Sequence, residues 1–536
     1  MPWKLASFRR RESFELSGLT ITANDASWLF MKPTGFRKLR LPLLAAGWLT
    51  GCAVGPDYHV PPAPVLASLT PTPMPAHTVT AAGEAQHFTS GADISAQWWT
   101  LFHSPALNGL IDTALANNPT LTAAQGTLVE AEENLRAEQG AFAPSVSGSF
   151  LAERERISSA ESATSGNAGA SSASGSQISI PPFDLYNASL SLSYDPDVFG
   201  GVRRQVESLA AQAAYERYEL EASYLTLTAN IVTAAVTEAS LTAQISATEQ
   251  IIAGEQRQLA ILQSQFALGG VSMANVLSEQ ATLAGTAATL PPLESSLALE
   301  RNQLADYVGT MPADFHIDDF TLASLQLPQD LPVSLPSAIV AQRPDIAAAA
   351  ALLHEASANV GVATANMLPQ ISLSADVGHD ALTTATLFTP QTLAWSLIGQ
   401  LTQPLFEGGT LDAKRKSAIA ALHVAAAQYQ ATVLSAFQNV ADALQVLQFD
   451  AATLAAAQAA QTAAANSLKV TQAQFQLGGT PFTAVLTAQT TYQNAVITAV
   501  KAQATRLADT AALFQALGGG WWNRRDVTQT CCGLVP

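Results

Sequence analysis

Charge is scarce in this chain. Asp, Glu, Lys and Arg make up 12% of its 536 residues, while apolar residues hold 48%, against about 25% charged and about 45–50% apolar in ordinary soluble proteins. Disorder driven by charge is excluded, because disordered chains are charge-rich and poor in apolar groups. Basic residues are the scarcer sign, 25 against 42 acidic for a net −17 and a pI near 4.8. This excludes a nucleic-acid partner, which needs a surplus of Lys and Arg. Long hydrophobic runs are also missing. The longest mostly apolar stretch covers 41–55, short of the ~20 residues of a spanning helix, so a polytopic helical membrane protein is not expected. Cysteine is limited to Cys52, Cys531 and Cys532, too few for a disulfide framework. The adjacent pair near the end reads as part of a loose tail.

Catalytic patterns are lacking too. There is no Walker phosphate loop, no His pair at metal spacing and no nucleophile elbow. Asp195 and Asp197 flank Pro196 and read as turn formers, and His354 and His423 stand alone on Ala-rich stretches as packing or surface residues. No catalytic residue, metal or cofactor is therefore expected, and without a nucleotide site the protein cannot power transport itself.

The N-terminus reads as an address. Arg37, Lys38 and Arg40 precede the short apolar run 41–48, the n- and h-regions of a secretory signal. The run ends in Leu49, Thr50, Gly51 and Cys52, which resembles the bacterial lipobox, where the cysteine thiolate takes a lipid and the peptide before it is removed. Met31 and Lys32 make a more natural start than Met1, so residues 1–30 are expected to lie ahead of the native product. Residues 1–51 hold eight basic and three acidic side chains, so the remaining 485 residues carry 17 against 39, a net −22.

Beyond Cys52 the chain repeats. Gln265, Phe266, Leu268, Gly269 and Gly270 recur as Gln474, Phe475, Leu477, Gly478 and Gly479, an offset of 209 shared by Val276, Leu277 and Gln280 with Val485, Leu486 and Gln489. Pro196, Gly200 and Gly201 lie opposite Pro404, Gly408 and Gly409 at 208, and Asn118, Pro119 and Pro144 opposite Arg343, Pro344 and Pro369 at 225. The first copy thus carries a longer insert, the Ser/Gly/Ala tract 158–176, read as a surface loop. Duplication at this length points to one domain of two similar halves.

Each half follows one order. A helix, over about 120–142 in the first copy, ends at a proline; two alternating segments follow. Leu190, Leu192 and Tyr194 alternate in the first copy, as do Ile371, Leu373, Ala375 and Val377, then Leu393, Trp395 and Leu397, in the second. Such dyads fit transmembrane barrel strands, and equally a half-buried strand of a soluble sandwich. Long helical runs come next, 201–269 with Gly254 as its only internal Gly or Pro and 409–478 with neither inside. Ile231, Ile245, Ile252, Leu259 and Phe266 keep a seven-residue register, as do Val433, Val440, Leu447, Leu454, Leu468 and Phe475. The spacing predicts coiled-coil rods of roughly 100 Å, about three bilayer cores long and therefore standing in water. Each rod closes at Leu-Gly-Gly, where glycine can adopt the left-handed conformation, and a return helix follows. Both tips must then lie at one end. Four strands per chain would leave open edges in lipid, costing several kcal/mol per unsatisfied group, so closure requires oligomers of eight or twelve strands.

Ala53, Val54, Gly55, Pro56, Asp57 and Tyr58 followed by Pro61, the stretch from Trp98 and Trp99 to Asn118 and Pro119, Arg343 to Ile346 with Leu368 and Pro369, and Pro404 to Gly409 resemble the outer-membrane lipoproteins of the TolC-like efflux factor family over nearly all of 52–518. The resemblance implies a mainly α fold with a small β part, a duplicated helical-hairpin tunnel protomer that gives four strands to a trimeric 12-stranded barrel. It implies a homotrimer in the outer membrane, lipid-anchored at Cys52 and extending into the periplasm. A periplasmic membrane-fusion adaptor is expected to dock at Leu268, Gly269, Gly270, Leu477, Gly478 and Gly479, with an inner-membrane pump of the resistance-nodulation-division type behind it. The function expected is a passive exit duct for small molecules. A channel for type I protein secretion is the alternative within that class; a periplasmic coiled-coil adaptor or structural lipoprotein, or a secreted helical enzyme, lies outside it. Where many relatives carry two acids after the second tip, this chain has Pro481 and Thr487, so a constriction near Phe482 is expected in place of an acidic ring. The expected division is a signal region at 1–51, an N-terminal segment and equatorial helix at 52–117, a first repeat at 118–310, a Pro-rich connector at 311–342, a second repeat at 343–518 and the tail at 519–536.

Overall fold

The computed structural model describes residues 53–64, 70, 74–156, 181–317, 320–333 and 336–524. The chain divides after Thr50, and the account below is of the second unit, 51–536, alone. Cys52, the tract 158–176, Cys531 and Cys532 lie outside the described residues.

The element order shows the duplication directly. β1 (His87–Ser90) and α1 (Pro105–Asn117) precede the first half, which consists of α2 (Pro119–Gln139), β2 (Ser145–Glu155), β3 (Phe183–Tyr194), α3 (Gly201–Ala267), α4 (Met273–Ala287) and α5 (Leu290–Val308). β4 (Asp330–Val333) and α6 (Pro336–Gln342) connect it to the second, which runs α7 (Pro344–Ala365), β5 (Gln370–Ala381), β6 (Leu393–Thr402), α8 (Thr410–Gln476) and α9 (Phe482–Ala516). Local chemistry sets these boundaries. Pro119 and Pro344 occupy the first turns of α2 and α7, where a missing N–H costs nothing, and the Asn118 side chain accepts from the Leu121 N–H at 3.0 Å to cap α2. α3 and α8 have 67 residues each, a rise of about 100 Å.

Four strands form one antiparallel sheet in the order β2-β3-β5-β6. Above their middles the rods pack with α2 and α7; towards the tips α4, α5 and α9 take over. α7 is long and apolar enough to cross a membrane by length and composition, which composition alone had not suggested. It packs between the two rods with nearly half of that window buried, so it is a core helix.

Around the rods' middles runs a belt. Trp98, Trp99 and Phe102 from the N-terminal segment, Phe320 and Leu331 from the connector and Phe514 from α9 close on Ile231, Val232, Val440 and Leu444 of the rods. Trp98 stacks on Phe514 with centroids 5.3 Å apart, and β1 pairs in parallel with β4. The C-terminal segment completes this belt, which corrects the expectation of a loose tail from residue 519. Trp521 donates to the Gln342 carbonyl at 2.6 Å, Asn523 to Asp93 and the Ile94 carbonyl, and Arg524 pairs with buried Glu221 and covers the Tyr224 ring. Two tryptophans and an arginine so close to the end supply enough contact area to fix it.

The seven-residue registers behave differently in the two rods. Val433, Val440, Leu447 and Leu454 are buried in α8 as expected. In α3 Ile231 is buried, but below it the seam moves to Gln244, Thr248, Glu255 and Leu262, while Ile245, Ile252 and Leu259 are half-buried and Phe266 is exposed. A seven-residue repeat recurs in columns three or four residues apart. Which column is covered depends on where the neighbouring helices stand.

Candidate conduit: a two-faced sheet and paired hairpin tips

Strand alternation gives the sheet two chemically opposite faces. The register aligns Leu190 with Val377 and Trp395, and Leu192 with Val146, Ala375 and Leu397. On that face Trp395 and Leu397 are 75% and 74% exposed, with Phe150, Leu393 and Leu401 also open. The other face aligns Ser147 with Ser191, Asp376 and Ser396, and Ser149 with Ser189 and Gly378, and is mainly polar with Leu151 and Ile398 exposed among these residues. Ser149 and Ser189 share a hydrogen bond at 2.8 Å, Asn187 donates to Asp380 at 2.7 Å and Ser396 to Asp376 at 3.3 Å. An exposed apolar face backed by a hydrogen-bonded polar one fits lipid on one side and water on the other. β2 and β6 each have a single partner among the described residues, so both outer edges are open.

Where the sheet meets the first rod, Asp197 receives the N–H groups of Val202 at 3.0 Å and Arg203 at 2.9 Å, completing the turn expected of it. Gly200, at φ +76°, lets the N-terminal segment lie against it, for a side chain there would meet Ala53 at 2.7 Å. That segment is latched by Arg204, which donates to the Val54 carbonyl at 3.1 Å, Asp57 at 2.8 Å and Glu207 at 2.7 Å. The guanidinium hydrogen bond and charge hold the Asp57 carboxyl below its ordinary value. Glu207 continues to His354 at 2.8 Å, whose ring stacks on Tyr58. Sequence reasoning singled out Tyr58 and His354 and missed that they touch, since nothing in spacing links positions so far apart. At the second junction Leu405 and Phe406 are exposed.

The two tips share one geometry. Gly269 at φ +76° and Gly478 at φ +75° follow Leu268 and Leu477; Gly270 and Gly479 each donate at 2.8 Å to the carbonyl five residues back, Gln265 and Gln474. This is a Schellman closure, in which a left-handed glycine satisfies carbonyls that the helix end leaves open. Leu268 and Leu477 are both 87% exposed. The tips are brought together by a small core of Leu262, Val276, Phe482 and Val485, with Phe475 and Leu468 against it. Phe482 is only 3% exposed, its ring 5.2 Å from that of Phe475. The expectation of a constriction at Phe482 is thereby corrected. The ring starts α9 on the side facing the rods, and burial there outweighs projection into a bore.

Nearer the belt, Asp450 on α8 faces Asp509 on α9, and burial with that like neighbour pushes it up to about 7. Buried Arg506 reaches Gln86, Thr78 and the Ala81 and Glu84 carbonyls, tying α9 to the N-terminal segment.

A barrel-type sheet carried on duplicated rods with hairpin tips is the protomer of an outer-membrane channel. The chain belongs to the outer membrane efflux protein family, whose model matches residues 110–310 and 335–519. It is 28% identical over 481 residues to the probable efflux pump outer membrane protein TtgC of Pseudomonas putida, covering 89% of this chain and 94% of that one. The cation efflux system protein CusC of Escherichia coli is 26% identical over 486 residues, covering 90% and 98%. Among solved structures, the outer membrane protein VceC of Vibrio cholerae superposes with a TM-score of 0.71 at 26% identity, over 80% of this chain and all of that one.

Proposed function

We propose that three copies of this chain close a twelve-stranded barrel continuous with a helical tunnel, which serves as the passive outer-membrane exit duct of a tripartite efflux system. The observation that carries this reading is the two-faced sheet with two open edges. Four strands cannot close alone, and an edge left in lipid costs several kcal/mol per unsatisfied group. Pairing β6 of one copy with β2 of the next removes both edges, turns Leu190, Val377, Trp395 and Leu397 to lipid and lines the bore with Ser, Asn and Asp. Small molecules arrive from an inner-membrane pump through a periplasmic adaptor, and the exposed Leu268 and Leu477 with their glycines form its docking points. The strands of the lining carry mainly Ser, Asn and Asp with Leu151 and Ile398 among them, and no enzymatic step is assigned. The same bore could pass an unfolded polypeptide, and the likeness to efflux pump and cation efflux proteins favours small molecules.

Cys52 carries the lipid in this reading. Ala53 packs against Gly200 at the base of the sheet, the level at which an acyl chain on the preceding residue meets the membrane. Planar-bilayer recordings on the purified full chain test the duct: a detergent-stable oligomer without conductance would refute it. Fatty-acid labelling should vanish in Cys52→Ser, and persistent labelling would refute the anchor.

A further inference from the structure

Two carboxylates are buried together between the hairpins, about 15 Å above the tips by helix rise. Glu255 on α3 is 1% exposed and Glu279 on α4 is 0% exposed. Glu255 accepts from the Thr286 hydroxyl at 3.0 Å and from the Gln493 amide of α9 through Oε1. Its Oε2 lacks a hydrogen-bond partner, and Glu279 has only the Gln489 side chain of α9 beside it as a polar neighbour. An unpaired buried carboxylate costs several kcal/mol if charged, so such groups recruit a counter-ion or take up a proton.

No counter-ion faces the pair among the described residues. α4 contains neither Lys nor Arg, and α9 has none before Lys501. On α3 Arg257 is exposed and donates to the Ala253 carbonyl of its own helix, and Glu249 is exposed. Lys469 on α8 and Glu294 on α5 are exposed as well, and Tyr492 on α9 is the remaining titratable group on this stretch. The duplication sharpens the point. At the offset of 209, Glu255 and Glu279 correspond to Ala464 and Ala488. The second hairpin packs with alanine at both places, so the fold does not need the carboxylates, and they enter as a pair.

We propose that Glu255 and Glu279 form a protonation lock that holds the first hairpin against α9 and controls the separation of the tips. With Glu279 protonated, α3, α4 and α9 pack as observed. When that proton passes to solvent, two buried anions repel, and the first hairpin parts from α9. Burial and the charge of Glu255 push Glu279 up to about 7, near neutrality, where a periplasmic surface can sample both states. The value is raised above that of an ordinary glutamate. The lock is therefore complete in acid, below the usual glutamate range, and is lost as pH rises through about 7. The inference rests on the reading of the tips as the mouth of the duct.

The test places spin labels at Leu268→Cys and Leu477→Cys in the full-length oligomer, with Cys531 and Cys532 replaced by Ser, and follows the label distance from pH 5 to 9. The parent should lengthen with a midpoint near 7, and Glu279→Gln should stay short throughout. A pH-independent parent, or a Glu279→Gln protein with the parent's transition, overturns the lock. Should Glu279→Gln not fold, Glu255→Gln also leaves a single carboxylate and should stay short throughout; the parent's transition in that variant overturns it. Calcium or magnesium that restores the short distance at pH 8.5 also overturns it, in favour of a cation site. Conductance recorded in parallel separates the two readings. A conducting oligomer with pH-independent tips refutes the lock alone, and a non-conducting one refutes the duct.

Discussion

Placing arginine on either face of the sheet gives the sharpest test of its orientation. Leu397 is the fifth of ten residues in β6, 74% exposed, in a row with Leu192 and Ala375. If that row faces lipid at mid-depth, Leu397→Arg should cost about 2–4 kcal/mol per subunit. Leu401, four residues on and near the rod, is on the same face. At ~3.3 Å per residue it lies over 10 Å along the strand, so Leu401→Arg should cost only about 0–1 kcal/mol, the interfacial value. Ser191 is on the opposite face, directly across from Asp376. Ser191→Arg meets water and an acid, so its effect should stay within about 0.5 kcal/mol, with reduced cation conductance instead. Urea unfolding of protein reconstituted in phospholipid vesicles measures all three. Equal losses for Leu397→Arg and Ser191→Arg, or no difference between positions 397 and 401, would refute the assignment of faces.

Glu238 is fully buried and takes both Arg301 and the Phe320 N–H, whereas the Arg301 side chain is 35% exposed. Arg301→Leu removes the guanidinium that balances a buried carboxylate and should cost about 3 kcal/mol; Glu238→Gln, which keeps an acceptor for Phe320, should cost less in chemical denaturation, and the reverse order would contradict the burial argument. Arg204→Ala removes three charge-assisted bonds, to Val54 and Asp57 of the N-terminal segment and to its neighbour Glu207, so chymotryptic cleavage after Tyr58 should accelerate roughly tenfold or more. Because Asp450 is raised to about 7, its contribution is present in acid and fades as pH rises through that value. Asp450→Asn should flatten the fall in stability between about pH 5 and pH 8, and an unchanged slope would show that Asp450 does not titrate there.

Features governed by local spacing were legible before any fold was known. The two rods, the paired Leu-Gly-Gly tips and the alternating strands follow from seven-residue and two-residue periods, and the 209-residue offset from direct repetition. The register in α8 was readable because its apolar column is also the covered one, at Val433, Val440, Leu447 and Leu454. In α3 the covered column contains Gln244, Thr248 and Glu255, and an apolar count passes over such a seam. Phe482 was misplaced for a related reason: its position beside the tip is local, but the side it faces is set by where α9 meets the rods.

The sequence by itself thus determined the class of protein, its duplication, its lengths and its open-edged strands, because backbone geometry converts residue spacing directly into rods, turns and faces. Only the tertiary structure decided which distant groups meet: Arg204 with the N-terminal segment, the tryptophans and C-terminal segment as a belt, and Glu255 with Glu279 between hairpins. Burial and charge pairing depend on neighbours brought together by packing, and residues separated by tens or hundreds of positions carry no mark of that meeting in their spacing.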